Sequence, residues 1–306
     1  MISQQLFRIQ TYRRVIANLG LFFFKHMKRF TVKSSEETIN YILKERVSVS
    51  RYGDGEFKMM QGRGNGFQQV DNSLGEKLRL VLCSNQRNHI VCIPYTFENL
   101  GYLTKDAYGF WRGYIGLHCF QLLKMIPSST YYDSTFTRFY MDHKNKSKCK
   151  DIIMMIKKLW DNRDLYIIEG AGTRMGVGND LLENAKTVRR IIAPSTDAYT
   201  CYSQIIMSVI RHVPKYSLII CALGMTATVL TYDLAELDYW AVDIGHLDIE
   251  YEWYKAGRKE KEIVKNKSVN ELGVNIDDDI DDINYHSQII CRIVSDRKAL
   301  YHSQRL

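Results

Sequence analysis

The chain lacks several of the signatures by which α/β enzymes are most readily sorted. None of its seven cysteines stands in a Cys-x-x-Cys pair, so no tetrahedral zinc site suggests itself. The thiols read as reduced, mostly buried small hydrophobes of a cytoplasmic protein. No serine occupies a Gly-x-Ser-x-Gly elbow, which argues against a Ser-His-Asp hydrolase. Glycines at 170, 172, 176 and 178 match neither the dinucleotide Gly-x-Gly-x-x-Gly spacing nor a P-loop with its Lys-Ser/Thr ending. The acidic cluster of Asp277, Asp278, Asp279, Asp281 and Asp282 lacks the glycine and closing glutamate of a calcium loop. The N-terminal apolar run from Val15 to Phe24 has only ten residues, against the roughly 20 that a spanning helix needs. No small-residue cleavage site follows it.

Acidic residues are also missing from one end. Residues 1–33 hold seven Lys or Arg and no Asp or Glu, which accounts for most of the net charge of +8. The remainder is close to balanced, so the charge describes a basic N-terminal appendage and argues against a nucleic-acid groove spread over the fold. Two readings of that appendage stand side by side. It is a helix with Leu21, Phe22, Phe23 and Phe24 on an apolar surface and basic flanks turned to anionic headgroups, or a helix packed on the body or a partner.

What is present is an ordinary globular composition, 45% apolar and 25% charged over 306 residues, and a repeating β–α pattern. Ser35 caps an expected helix with Ile39, Ile42 and Leu43 on its apolar stripe. Val47 to Ser50 is a short strand, and Asp71 or Asn72 opens the helix of Leu74, Leu78, Val81 and Leu82. His89 to Ile93, apolar on both faces, reads as a central parallel strand. Residues 105–126 form an aromatic-rich helical region, and lysines 144, 146, 148 and 150 describe a solvated linker. Strands at Leu165–Ile168, Val188–Ala193, Leu218–Ala222 and Trp240–Val242 alternate with helices. The fold class is therefore α/β, a Rossmann-like, doubly wound, mostly parallel sheet. In that architecture ligands bind beyond the carboxyl ends of the strands, where residues 51–57, 169–180, 223–226 and 243–250 all fall.

Each of those stretches has chemistry to offer. Arg51-Tyr52-Gly53-Asp54-Gly55-Glu56-Phe57 sets two carboxylates two residues apart in a glycine-bracketed turn. Carboxylates that close repel unless a cation or donors compensate, so the turn is either one edge of a metal site or a plain acidic strand end. Glu169 to Asp180 is a glycine-rich turn between a strand and an expected helix at Leu181–Ala185. Such a turn offers backbone N–H groups and a helix dipole to a diphosphate, with Thr173 and Arg174 as side-chain donors. His246, with acids at 243, 248 and 250, has the composition of a hard-metal or acid–base site. A flexible stretch from Gln61 to Gln69, with Gly62, Gly64 and Gly66, is free to cover a ligand. Together these features suit group transfer from a nucleotide diphosphate donor.

Four blocks carry a family resemblance: Arg51 to Glu56, Gly172 to Asp180, Gly224 to Leu230 and Asp243 to Trp253. They occur in the order seen in the bacterial GT-D fold glycosyltransferases, formerly catalogued as domain of unknown function 1792, which the chain resembles over residues 36–257. Ala171 and Met225 depart from the residues usual in that family. The resemblance implies a metal-dependent transfer of a hexose, typically glucose from UDP-glucose, onto a growing cell-surface or glycoprotein glycan. It implies Mn²⁺, or Mg²⁺ in its place, on the Asp-x-Glu pair Asp54 and Glu56, with His246 as a further ligand. It maps the glycine-rich block of Gly172, Thr173, Arg174, Gly176, Asn179 and Asp180 onto the donor diphosphate, with Gly170 and Thr226 as further candidates and Arg51 either holding phosphate or orienting the carboxylates. Asp54, Glu56, Asp248 and Glu250 are the expected catalytic carboxylates, the last two as candidate bases. The expected division is an appendage over 1–33, a catalytic domain over 34–257, and a charged connector with a docking segment over 258–306. The expected acceptor is a lipid-linked or protein-linked glycan, met in the cytoplasm or at the inner membrane surface. A non-catalytic nucleotide-sugar or polyanion-binding module, or another nucleotide-diphosphate-dependent transferase, is the alternative.

Overall fold

The computed structural model describes residues 2–276 and 278–294, with side chains from Thr11 onward. Asp277 of the acidic cluster and the last part of the expected docking segment lie outside the described residues. In chain order the elements are α1 (Ile2–Met27), β1 (Thr31–Val32), α2 (Ser35–Glu45), β2 (Ser48–Arg51), α3 (Asp54–Met59), α4 (Asn72–Leu82) and β3 (His89–Ile93). Next come α5 (Lys105–Leu117), α6 (Cys119–Met125), β4 (Thr130–Asp133), α7 (Cys149–Lys157), β5 (Asp164–Gly170), β6 (Thr187–Ala193) and α8 (Tyr202–His212). The chain closes with β7 (Leu218–Ala222), α9 (Met225–Glu236), β8 (Trp240–Asp243), α10 (Leu247–Lys255), α11 (Ile283–Gln288) and β9 (Ile289–Arg292).

The nine strands form one sheet in the order β1-β4-β3-β2-β8-β7-β5-β6-β9, and every pairing is parallel. Parallel strands need crossovers, and helices supply them on both faces. The pleat divides the core accordingly. Leu165 and Ile167 of β5 join Ile220 and Val242 under α2, α7 and α10. Their neighbours Tyr166 and Ile168 join Ile219 and Ala241 under α8 and α9. A third cluster collects Phe24, Phe57, Phe97, Leu74 and Ile115 beside Val91 and Ile93 of β3.

Local chemistry sets several boundaries. α2 begins after Ser34, not Ser35, because Ser34 and Glu37 make a reciprocal capping box that satisfies two otherwise unpaired N–H groups. Asp71 caps α4 through the N–H of Leu74 at 3.0 Å. The 105–126 region is two helices broken at His118. The helix expected at Leu181–Ala185 does not form. Residues 181–184 are turns, because Leu181 N–H is taken by Asn179 Oδ1 at 2.9 Å and Trp160 Nε1 claims the Leu181 carbonyl. The glycine-rich turn therefore has no helix dipole behind it.

Candidate active site at the carboxyl ends of the central strands

Four neighbouring strands, β2, β8, β7 and β5, form the middle of the sheet. Register aligns their ends: Val49 pairs with Val242, Asp243 with Cys221, and Ala222 with Glu169. The four sequence blocks follow directly from these ends and meet along one edge. Connections leave β5 toward β6 and β7 toward β8, so the edge includes a topological switch point, where open parallel sheets hold their ligands.

Arg51 ends β2 and is largely committed. Its Nε donates to the Asp243 carbonyl at 2.9 Å, and Nη1 donates to Ser134 O at 2.9 Å and Thr137 Oγ1 at 2.6 Å. Nη2 reaches Asp243 Oδ1 at 3.1 Å. These contacts use four of the five guanidinium N–H bonds, so Arg51 ties β2 to β8 and to the loop after β4, and is not a free phosphate ligand. Asp243 is buried, which raises its pKa against the pull of Arg51.

Asp54 and Glu56 occupy the first turn of α3, where a helix N-terminus favours negative charge. Glu56 Oε2 accepts the Gly53 N–H at 2.7 Å, and Asp54 Oδ2 is paired with Lys58 at 2.6 Å. Burial, reinforced by the like charges of Asp243 and Asp54 and opposed by the Gly53 N–H, pushes the Glu56 carboxyl up to about 7. Hard oxygen donors short of cation charge are the right chemistry for a divalent ion, and these two carboxylates fit one.

His246 is placed differently from the expectation. Its Nε2 is hydrogen-bonded to Asn270 Nδ2 at 2.9 Å, and burial lowers its pKa, so it is neutral at pH 7. Among the described residues no three His, Cys, Asp or Glu side chains converge in a metal-holding group. In this structure the His246 ring is engaged with Asn270.

The candidate bases are also engaged. Asp248 Oδ1 accepts from Gly176 N at 2.8 Å and Asn179 Nδ2 at 2.9 Å, and Oδ2 is paired with Lys267 at 2.6 Å. It latches the glycine-rich turn to α10 and has no lone pair aimed at a substrate. Glu250 is fully buried. Its Oε2 accepts from Met141 N at 2.9 Å and Tyr140 N at 3.2 Å, while Oε1 has no hydrogen-bond partner and lies 4.0 Å from Arg138. Burial pushes this carboxyl up to about 7 despite Arg138. Both carboxylates are held by the protein's own donors.

In the glycine-rich turn most of the expected donor ligands are spent inside the protein. Arg174 donates to the carbonyls of Asn266, at 2.7 Å, and Asp278. Asn179 also donates to Glu252 Oε1 at 2.7 Å. Asp180 accepts from Tyr251 and Lys255, and Lys255 lowers its pKa. Gly172 is glycine for packing: a Cβ there would collide with Ser268 Oγ and the Ile276 carbonyl. Gly170, buried beside Ser195, ends β5. Thr173 and Thr226 differ, because among the described residues neither hydroxyl has a hydrogen-bond partner, and that of Thr226 is buried. A cavity of about 320 Å³ opens behind Gly176 and Gly178 against Arg190 and Tyr285. It lies at the β6 end of the sheet, well away from Asp54.

The segment read as a solvated connector is instead a strap over this edge. Lys267 is buried against Asp248 and Glu252, Ser268 N–H donates to Gly172 O at 2.8 Å, and Glu271 pairs with Arg138 at 2.7 Å. Asp243, Arg138, Lys267 and Asn270 hold this edge but were not assigned to the expected site, Asp243 being read only as an acid beside His246. Asp243 stood in plain view at a strand end. The other three sit in stretches with no period, where nothing local reports a long-range partner.

The fold and this edge define a doubly wound α/β protein with its candidate site at four central strand ends and a carboxylate pair at a helix head. Comparison with known proteins makes the assignment specific. The family profile described as the glycosyltransferase GT-D fold matches residues 49–272. A solved structure described as the distinct glycosyltransferase fold of the highly conserved domain of unknown function 1792 superposes with a TM-score of 0.86 at 32% identity, covering 90% of this chain and 100% of that one. A glycosyltransferase of the same domain type from Streptococcus sanguinis gives 0.83 at 34% identity, covering 87% and 100%. Glycosyltransferase GlyD of Streptococcus pneumoniae is 36% identical over 96% of this chain, and the probable glycosyl transferase Gly of Streptococcus gordonii is 37% identical over 88%. The chain spans 37% and 40% of those two proteins' lengths. The chain belongs to the GT-D fold glycosyltransferase family, as its four blocks implied.

Proposed function

We propose that the chain transfers a hexose, glucose from UDP-glucose in the first instance, from a nucleotide diphosphate donor to a growing lipid-linked or protein-linked glycan. The observation that carries this reading is the meeting of four blocks at four adjacent strand ends. There Asp54, paired with Lys58, and Glu56, raised by burial, share the edge with the hydroxyls of Thr173 and Thr226, the latter buried and without a partner. Asp54 and Glu56 would hold a divalent cation, Mn²⁺ or Mg²⁺. When bound, that cation supplies charge neutralisation on the departing diphosphate.

The remaining work belongs to the chain. Thr173 and Thr226 donate to phosphate oxygens, and Lys58 leaves Asp54 when the carboxylate takes up its ligand. Arg51 holds Asp243 and the end of β2 at fixed separation, so that Asp54 and Glu56 enter the site already oriented. Glu56 has to give up its proton before it can serve as a ligand, so metal affinity rises as pH increases through about 7.

The test is nucleotide release from a panel of nucleotide sugars with and without Mn²⁺, in the presence of an extract of lipid-linked acceptors. One donor is expected to turn over only with metal. Glu56→Gln is expected to lower that turnover by at least about a hundredfold, with an unchanged circular dichroism melt. Unchanged metal-dependent turnover in E56Q overturns the carboxylate assignment. Absence of both turnover and saturable binding for every donor overturns the transferase reading.

A further inference from the structure

α1 is apolar on two opposite faces, and only one of them is covered. Ala17, Gly20, Leu21 and Phe24 point inward, with Phe24 fully buried against Phe30 and Phe97. Gly20 and Gly116 let the helix lie backbone to backbone on α5, since a Cβ at either would strike the other helix's main chain. The helix is therefore held as a rigid part of the body. On its outer side Tyr12, Ile16, Leu19, Phe23 and Met27 recur at intervals of three or four, with Val15 and Phe22 beside them. All seven are exposed, from 44% at Phe23 to 68% at Tyr12. A helix face covered by nothing is normally polar. This one continues onto α6, where Phe120, 68% exposed, meets the Phe23 ring at 6.5 Å.

Charge decides what the face fits. At about 100° per residue, Arg14 and Lys25 fall on one flank of the stripe, while Arg13 continues the line of Ala17, Gly20 and Phe24 toward the N-terminal end. Arg13, Arg14, Lys25 and the following Arg29 are exposed, and among the described residues none is in an ion pair with an acid. No Asp or Glu occurs anywhere in residues 1–33. A protein partner would be expected to find some anions of its own complemented and some cations paired across a mixed rim. An apolar stripe flanked by unpaired cations, on a helix without a single acid, matches the layering of an anionic bilayer surface, acyl chains beneath phosphate. No described helix is long and apolar enough to cross a membrane, so the geometry is that of a helix lying in the interface.

We propose that the outer face of α1, extended by Phe120 of α6, docks this protein on anionic phospholipid bilayers. Because the helix is fixed to α5, docking also fixes how the catalytic body stands on the surface. The inference is independent of the donor sugar and of the metal.

The test is flotation of the full-length protein with phosphatidylcholine vesicles, with and without phosphatidylglycerol. Recovery with the anionic vesicles is expected to exceed that with neutral ones severalfold and to fall at high salt. Leu19→Glu with Phe23→Glu is expected to cut it at least tenfold, whereas Met207→Glu, at an exposed apolar position on α8, leaves it unchanged. Thermal melts of each variant report folding. Equal recovery of wild type and the L19E/F23E protein overturns the proposal. So does a wild type that ignores anionic vesicles but forms a dimer which L19E/F23E abolishes, since the face would then be a protein interface.

Discussion

Glu250 shows what a single side chain costs and contributes. It is fully buried with one oxygen unpaired, and its carboxyl is raised to about 7 from an ordinary value of 4.5. A carboxyl whose pKa is higher in the folded state takes up a proton on folding. Its contribution is fully present below about 4.5 and is lost as pH rises through about 7. Buried histidines such as His143, lowered to about 4, act oppositely over much of that range, so the raw pH profile is composite. The diagnostic quantity is the difference from Glu250→Gln. Wild type should lose stability relative to E250Q between pH 5 and pH 8 by up to roughly 3 kcal/mol, read from urea melts. A gap independent of pH would show that Glu250 does not titrate there. The sequence marked Asp248 and Glu250 as acids near a strand end, which was correct. It could not distinguish a reactive carboxylate from a latch, because that depends on Lys267 and the N–H groups of residues 140 and 141, each distant in the chain.

Among the elements, the strands and the capped helices were the most legible. β3 and β7 read as unbroken apolar runs because parallel strands are buried on both faces, and both were expected within a residue or two of where they stand. The glycine-rich turn was legible as a turn, but not for its reason. Its glycines suggested room for a phosphate, whereas Gly172 makes room for the strap at Ser268 and Ile276. Gly172→Ala should push that strap outward and cost about 1–3 kcal/mol through overpacking. Limited proteolysis should then cut within residues 258–276 at least several times faster than in wild type. An unchanged cleavage rate and melt would mean that the close approach can relax.

For the whole molecule, the strap around residues 267–276 and β9 are part of the fold's closure. β9 pairs with β6 at the sheet edge, and Lys267 neutralises a buried Asp248. A chain ending at residue 257, the boundary suggested by the four blocks, would leave that carboxylate without its cation, a loss of about 3–5 kcal/mol. Its melting temperature should fall on the order of 10 °C by calorimetry, and an equal melt would show the strap to be dispensable. The sequence by itself determined the α/β alternation, the order of the four blocks, the family they define and the one-sided charge of residues 1–33, because periodicity, turn chemistry and composition act over a few residues. Tertiary structure alone decided that β2, β8, β7 and β5 are neighbours, that Arg51 turns to Asp243, and that His246 turns to Asn270. It also decided that α1 buries one apolar face and exposes the other. Each of these depends on contacts between residues tens to hundreds of positions apart, which are made only once the parallel sheet has assembled.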